Sequence, residues 1–313
     1  MEPPRNLLYA PWIRRRRRNL SYFRRMMRYA LYLFLLLTLV PSVMRAQSGQ
    51  PMASPRTVAL LWSDVADATD MRAPTPAMRP DTSSRVEADL MTTPTGLAGS
   101  WTAGLSGHYA VTSLDRLGAS FSRYQFQDIY SSEIIGVQYS RTFLVDSLRR
   151  ASGGIRLRYG SQDFGPQYVP LNDLTMDFGV SFDLNAQLAL GFAATHILSL
   201  YNNQGIQTEH RTEFFGLSYR SERKDRSSKF ILDAAAESSE SSSIAMHVGV
   251  EYSFALDDGY ANKYLSIRAG VETLTHLLAG GFGIMFGETQ LDFVLLHHPD
   301  LGSSLSFGLS YPL

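Results

Sequence analysis

Three absences limit what this sequence can be. It has no cysteine among its 313 residues, which excludes disulfide bonds, thiol catalysis and zinc sites built from cysteine. It has no net charge, because 29 acidic residues balance 29 basic ones, so no overall field attracts nucleic acid. Long hydrophobic runs are scarce, and only residues 29–43 approach the length of a membrane-spanning helix. A membrane protein built from several such helices is therefore excluded.

The apolar run at 29–43 lies between basic residues and a small residue, Ala46. A charged region, a short apolar region and a small residue at the cleavage point are typical of a secretory signal peptide, which we predict over 1–46. The alternative is a retained membrane anchor. Residues 1–25 are interpreted as an over-extended start, because Met26 and the residues after it already form a complete signal peptide.

Beyond residue 100 the chain alternates apolar residues with small, polar or charged ones, and no comparable helical period is present. Because successive side chains of a strand point to opposite faces, this alternation predicts β-strands with one apolar face. Many of the segments have the nine to eleven residues that a tilted strand needs to cross a bilayer. The thirteen segments are approximately 101–111, 117–124, 132–143, 154–160, 173–184, 187–197, 212–220, 229–237, 244–254, 264–272, 277–286, 289–296 and 304–312.

The composition of the second face separates two architectures. A soluble sandwich exposes its polar faces to water, whereas a transmembrane barrel points its apolar faces at lipid and lines its interior with small and polar groups. Glycine, alanine and serine dominate the second face here, and tyrosine and phenylalanine cluster at strand ends. We therefore predict an all-β fold, a transmembrane antiparallel up-and-down barrel, with a secreted sandwich as the alternative.

Strand parity adds a first strand. Bacterial single-chain barrels have an even number of strands, so the thirteen segments of 99–313 require one more in the preceding part, 47–98. The apolar run 57–62 is the best candidate, which gives a 14-stranded barrel. Residues 63–98 are then an outer loop or a segment folded into the lumen. A 12-stranded barrel is the alternative.

The same alternation assigns charged residues to the lumen. Segment 244–254 places Val248 toward lipid, so arginine there should block membrane assembly, whereas serine at the lumen-facing Gly249 should be tolerated. Charges of both signs share the lumen face, so they can pair across a narrow interior and close it to general solutes. The predicted lumen-facing residues are Arg156, Arg158, Asp177, Asp183, Asp233, His247, Glu251, Arg268 and Glu272.

Catalytic and metal motifs are not found. No G-x-S-x-G motif accompanies the histidines, and the adjacent His297 and His298 would point apart on a strand. We expect neither an enzyme, nor a metal site, nor a cofactor. The pair Gly280 and Gly281 falls inside a predicted strand, where it either eases packing or forms a kink that opens a lateral gap.

The C-terminal strands resemble the closing strands of the PorV/PorQ family, outer-membrane barrels similar to the FadL fatty acid transporter. The resemblance covers about fifty residues. It departs from the family at Thr93–Ala98, a partial match to an N-terminal W-N-P-A-G-L-A element, and at the terminal Pro312–Leu313, where an aromatic residue is usual. The matching segments are Tyr264–Val271, Leu278–Gly287, Gln290–Phe293, His298–Ser303 and Leu305–Tyr311.

This resemblance implies a location in the outer membrane of a Gram-negative bacterium, surrounded by outer-membrane lipid. It further implies either transport of hydrophobic small molecules or a role as a component associated with type IX secretion, in contact with secretion-system proteins. A structural or adhesion protein without transport activity is the alternative from another class. Nucleic acid is not an expected partner.

Overall fold

The computed structural model describes the second of two compact units, residues 44–313, over most of its length. The predicted signal peptide over 1–46, including the alternative start, lies outside the described residues. None of the helices that are described has the length and hydropathy to cross a membrane. The described ranges are 54–61, 63–66, 71–78, 84–92, 99–144, 149–203, 211–223, 227–239, 244–256 and 263–313.

The described residues form one short helix and fourteen strands. The helix, α1, spans Pro55–Ala59. The strands are β1 (Arg85–Thr92), β2 (Ser100–Ala110), β3 (Asp115–Phe126), β4 (Tyr130–Leu144), β5 (Arg150–Asp163), β6 (Leu171–Asp183), β7 (Leu188–Asn202), β8 (Thr212–Glu222), β9 (Ser228–Ser239), β10 (Ala245–Ala255), β11 (Lys263–Glu272), β12 (Leu278–Phe286), β13 (Thr289–His298) and β14 (Gly302–Pro312).

The strands close into an antiparallel barrel in which each pairs with its neighbours in the chain. Pairing of β1 with β14 completes the ring, with Ala88 opposite Leu309. Closure leaves no sheet edge with unpaired backbone groups. The predicted all-β barrel of fourteen strands is therefore confirmed, and the 12-stranded alternative is wrong.

The position predicted for the first strand is wrong. Residues 57–59 of the predicted strand 57–62 belong to α1, and the first strand is β1 at Arg85–Thr92. The helix starts here because the Ser54 side chain accepts a hydrogen bond from the Thr57 backbone N–H, and Pro55 fits the first turn. Leu60 and Leu61 follow the helix, and both are fully buried.

The two faces of the wall differ sharply in exposure. In β10, Met246 is 45% exposed, whereas its neighbour His247 is 0% exposed and Glu251 only 7%. Along the other strands, too, large apolar side chains on the outer face are exposed and polar side chains on the inner face are buried. The barrel is thus apolar outside and polar inside, the reverse of a soluble protein.

The barrel has two distinguishable ends. An even number of antiparallel strands puts the start of β1 and the end of β14 at the same end, where the Leu313 N–H donates to the Ser84 carbonyl at 2.9 Å. We call this the terminal end and the opposite one the far end. The tight turn at Gly287 and Glu288 lies at the terminal end, and the longer connection 164–170 lies at the far end.

Candidate functional site: the filled lumen

The interior of the barrel is occupied by the chain that precedes β1. We call its described residues, 54–61, 63–66 and 71–78, the lumen segment. Every described residue in it except Arg56 is buried. Val58 and Leu61 pack against Leu277, in the connection before β12, and Val294 of β13, in one apolar cluster. Of residues 63–98, which were predicted as an outer loop or a lumen segment, 63–66 and 71–78 are buried in this way, whereas 85–92 form β1.

Paired glycines in the wall make room for the lumen segment. Gly191 of β7 lies directly opposite Gly216 of β8, and both face Val65 and Ala66. A Cβ added at Gly191 would lie 2.5 Å from the Val65 carbonyl oxygen, closer than real Cβ atoms come to any atom. These two positions admit no side chain while the lumen segment is in place.

Two further glycine pairs repeat this arrangement. Gly154 of β5 and Gly179 of β6 lie opposite each other beside Pro76, and Gly249 of β10 and Gly270 of β11 lie opposite each other beside Leu60. A Cβ at Gly249 would be 2.9 Å from the Leu60 carbonyl oxygen. Serine at this position would displace the lumen segment or the strand, contrary to the tolerance expected from alternation alone.

An arginine of the lumen segment joins a charged chain on the wall. The Arg56 Nε donates to Glu251 Oε2 at 2.9 Å, and the Arg268 Nε donates to the same oxygen at 2.9 Å. Arg268 also pairs with Asp292. The charges of these four side chains thus alternate in sign. Arg56 of the lumen segment and Arg268 of the wall share the Glu251 carboxylate. Charges buried in this way need such partners, because desolvation of an isolated charge is costly.

A second arginine anchors the other end of the lumen segment. Arg72 is 4% exposed, pairs with Asp89 of β1, and lies 3.6 Å from Glu87 Oε1. Gly104 of β2 faces the same guanidinium, so the wall again leaves space where the segment passes. Arg56 and Arg72 therefore hold the lumen segment to opposite-sign groups of β10 and β1.

Arg156, Arg158 and Asp177 form a third cluster, on β5 and β6. Arg158 donates to Asp177 Oδ1 at 2.7 Å, and Arg156 donates to the Ala73 carbonyl of the lumen segment at 2.9 Å. Asp177 also accepts the backbone N–H of His196 at 3.0 Å. His196 has a positive φ and lies where the pairing of β6 with β7 shifts register, so Asp177 holds an irregular part of the wall.

Of the other predicted lumen residues, His247 of β10 and Glu272 of β11 lie directly opposite each other, and both are fully buried. His247 Nε2 lies 2.9 Å from Glu237 Oε2, while Glu272 binds Thr275 in the connection after β11. Asp233 is fully buried on β9, and Asp183 is half-buried 3.9 Å from Arg220. Within the described ranges, no group of His, Asp or Glu side chains is placed to hold a metal ion.

Sequence reasoning missed several residues of this site. Arg56 and Arg72 precede the predicted strands, so alternation does not assign them to the lumen. Asp89 lies on β1, which was not predicted as a strand. Asp292 could have been found, because it occupies a lumen-facing position of β13 by alternation. Pairing of glycines across strands had no signal in a single sequence, since it depends on register.

Aromatic residues face inward at the far end of β3 and β4. Alternation puts Tyr124 and Phe126 on the inner face with Tyr130, whose ring centroid is 5.9 Å from that of Tyr124. Phe164, after β5, adds a ring 5.1 Å from Tyr130. Together with Ile134 these residues form what we call the aromatic mouth. An aromatic lining of this kind suits apolar or aromatic ligands.

No protein-family model matches this sequence, and no curated protein sequence matches it. Solved structures do match. The Ralstonia pickettii toluene transporter TbuX has 11% identity and a TM-score of 0.56, over 83% of this chain and 98% of its own. A Pseudomonas aeruginosa FadL homologue has 9% identity and a TM-score of 0.53, over 84% of this chain and 98% of its own. The Acinetobacter baumannii outer membrane protein Omp33 has 9% identity and a TM-score of 0.52, over 74% of this chain and 98% of its own. At these identities the likeness shows the fold alone, that of outer-membrane barrels.

Proposed function

We propose that this chain is an outer-membrane barrel of a Gram-negative bacterium that takes up hydrophobic small molecules. A closed barrel with an apolar exterior and a polar interior satisfies its backbone hydrogen bonds within a bilayer. Short turns favour the terminal end as periplasmic and the far end as external. The aromatic mouth then faces the medium, and this single feature carries the proposal.

The filled lumen argues against a general porin. A water-filled channel needs an unobstructed interior, whereas the lumen segment packs against the wall glycines of this one and is held there by the Arg56 and Arg72 ion pairs. Aromatic rings at the entrance offer a solute burial of apolar surface rather than hydrated passage. The similar fold of TbuX, described as a toluene transporter, supports the same class of solute.

Ligand binding tests the proposal at the mouth. We expect a medium-chain fatty acid or a monoaromatic hydrocarbon to bind the purified barrel in detergent, measured by titration calorimetry. Tyr130→Ser should weaken binding about tenfold, because it removes one ring that contacts two others. Tyr109→Ser, an exposed aromatic on the outer face near the terminal end, is the matched control and should bind as the unchanged protein does. Equal ligand affinity of all three proteins would show that the aromatic mouth does not bind the ligand, and would contradict the proposal.

A second candidate is a component associated with type IX secretion. The strands that resemble the PorV/PorQ family are β11–β14, and α1 packs inside these same strands. A scaffold that keeps its lumen closed suits a partner protein as well as a transporter. Failure to bind any apolar solute, together with co-purification of secretion components from a native host, would favour this role over transport.

A further inference from the structure

The outer face of the barrel has a hollow in its apolar surface. A recess of about 350 Å³ opens outward across β4 to β8. Its floor is Gly153, where an added Cβ would meet nothing within 4 Å. Its walls are apolar side chains on the outer face, namely Phe143, Val180, Phe182, Leu190, Phe192 and Phe215.

The recess runs obliquely across the outer face of the barrel wall. It follows a row of cross-strand pairs that runs from Arg141 to Gly153 and then to Val180, Phe192 and Phe215. Arg141 is near the terminal end of β4, whereas Phe215 is near the far end of β8. Four strand spacings make the row about 19 Å long. The row is tilted against the barrel axis. Its length is comparable with the thickness of one leaflet, which is about half of a hydrocarbon core of ~30 Å.

A cation lies at the terminal end of this row. Arg141 points outward, is opposite Gly153, and keeps 51% of its side chain exposed. Its guanidinium carbon is 5.8 Å from the ring centroid of Phe143, a wall of the recess. Asp115 lies 3.5 Å from Arg141 Nη1, which fixes the side chain at the edge and leaves its other N–H groups available.

We propose that the recess binds one phospholipid, with an acyl chain along the row and the phosphate at Arg141. An apolar hollow with a cation at one end matches a lipid that has an anionic headgroup and a long chain. Long basic side chains at this depth place their charge at the interface, where phosphates are found. The inference rests on the proposed membrane location, since the terminal end must face the periplasmic, phospholipid leaflet.

Lipid retention tests this site. The full barrel is reconstituted in phosphatidylglycerol vesicles and extracted in mild detergent, and its bound lipids are counted by native mass spectrometry. We expect one retained phospholipid, which Gly153→Phe abolishes by filling the floor. Arg141→Gln should retain it about tenfold less tightly, through loss of a charge-assisted hydrogen bond.

The matched control is Gly280→Phe, because Gly280 also lies on the outer face with nothing within 4 Å of an added Cβ but is outside the recess. It should retain the lipid. Equal retention by the unchanged protein and Gly153→Phe, or equal loss by both glycine variants, would identify ordinary surrounding lipid and overturn the proposal. Heat-dependent gel mobility of each variant reports barrel insertion separately, so a failure of the membrane location is distinguishable from a failure of the recess.

Discussion

Replacing a paired glycine by alanine tests whether the lumen segment lies against the wall. At Gly191 an added Cβ would be 2.5 Å from the Val65 carbonyl oxygen and 2.7 Å from the Ala66 Cα. Both are main-chain atoms, so no flexible side chain can move aside. Overpacking of this kind costs about 1–3 kcal/mol. We therefore expect Gly191→Ala to lower the free energy of unfolding by that amount.

Urea titration in lipid vesicles measures this loss, and ion conductance across planar bilayers measures whether the segment has moved. We expect conductance to rise in Gly191→Ala, because displacement of Val65 and Ala66 opens the interior. Gly280→Ala is the control, since nothing lies within 4 Å of its added Cβ. Its stability should change by less than about 0.5 kcal/mol, as for other substitutions without new contacts. If both variants were equally stable and equally closed, the glycine pairs would not be contacts for the lumen segment.

Two further substitutions test the inner and outer faces. Glu251→Ala should cost about 3–5 kcal/mol in urea titration, because it leaves the buried Arg268 and the half-buried Arg56 without their shared carboxylate; an unchanged midpoint would contradict the ion-pair chain. Val248→Arg should reduce assembly in membranes, because arginine on a lipid face costs about 2–4 kcal/mol at mid-depth; recovery of normal amounts of heat-modifiable barrel from the membrane fraction would place this face elsewhere.

Strand alternation was sufficient to predict the architecture, but not where the first strand lies. The run at 57–62 is apolar and continuous, and short runs of this kind suit a buried helix as well as a strand. In β1 the outward residues include Val86 and Leu90, with Glu87 and Asp89 between them. That alternation is present, but it is brief and stands in a proline-rich region. The rule that such barrels have an even number of strands required one more strand, but it did not decide between residues 57–62 and β1.

The charge pairing predicted for the lumen also did not include Arg56, which binds Glu251. Alternation assigned Glu251 and Arg268 to the inner face, and they do interact directly. Their third partner, Arg56, belongs to a segment with no strand pattern, so its place inside the barrel was visible only in three dimensions. The sequence therefore predicts that the lumen is polar, but which residues pair with its charges depends on the path of the lumen segment.

The sizes of inward side chains follow the contents of the barrel. Gly118 of β3 faces Met71 of the lumen segment, so a small residue stands where the interior is filled. Tyr124 is on the same face of the same strand, about 20 Å nearer the far end, where the wall instead carries large rings. The curvature of the wall alone does not explain a change from glycine to tyrosine along one strand. The change is explained if the interior is packed with protein near Gly118 and left for an apolar ligand near Tyr124.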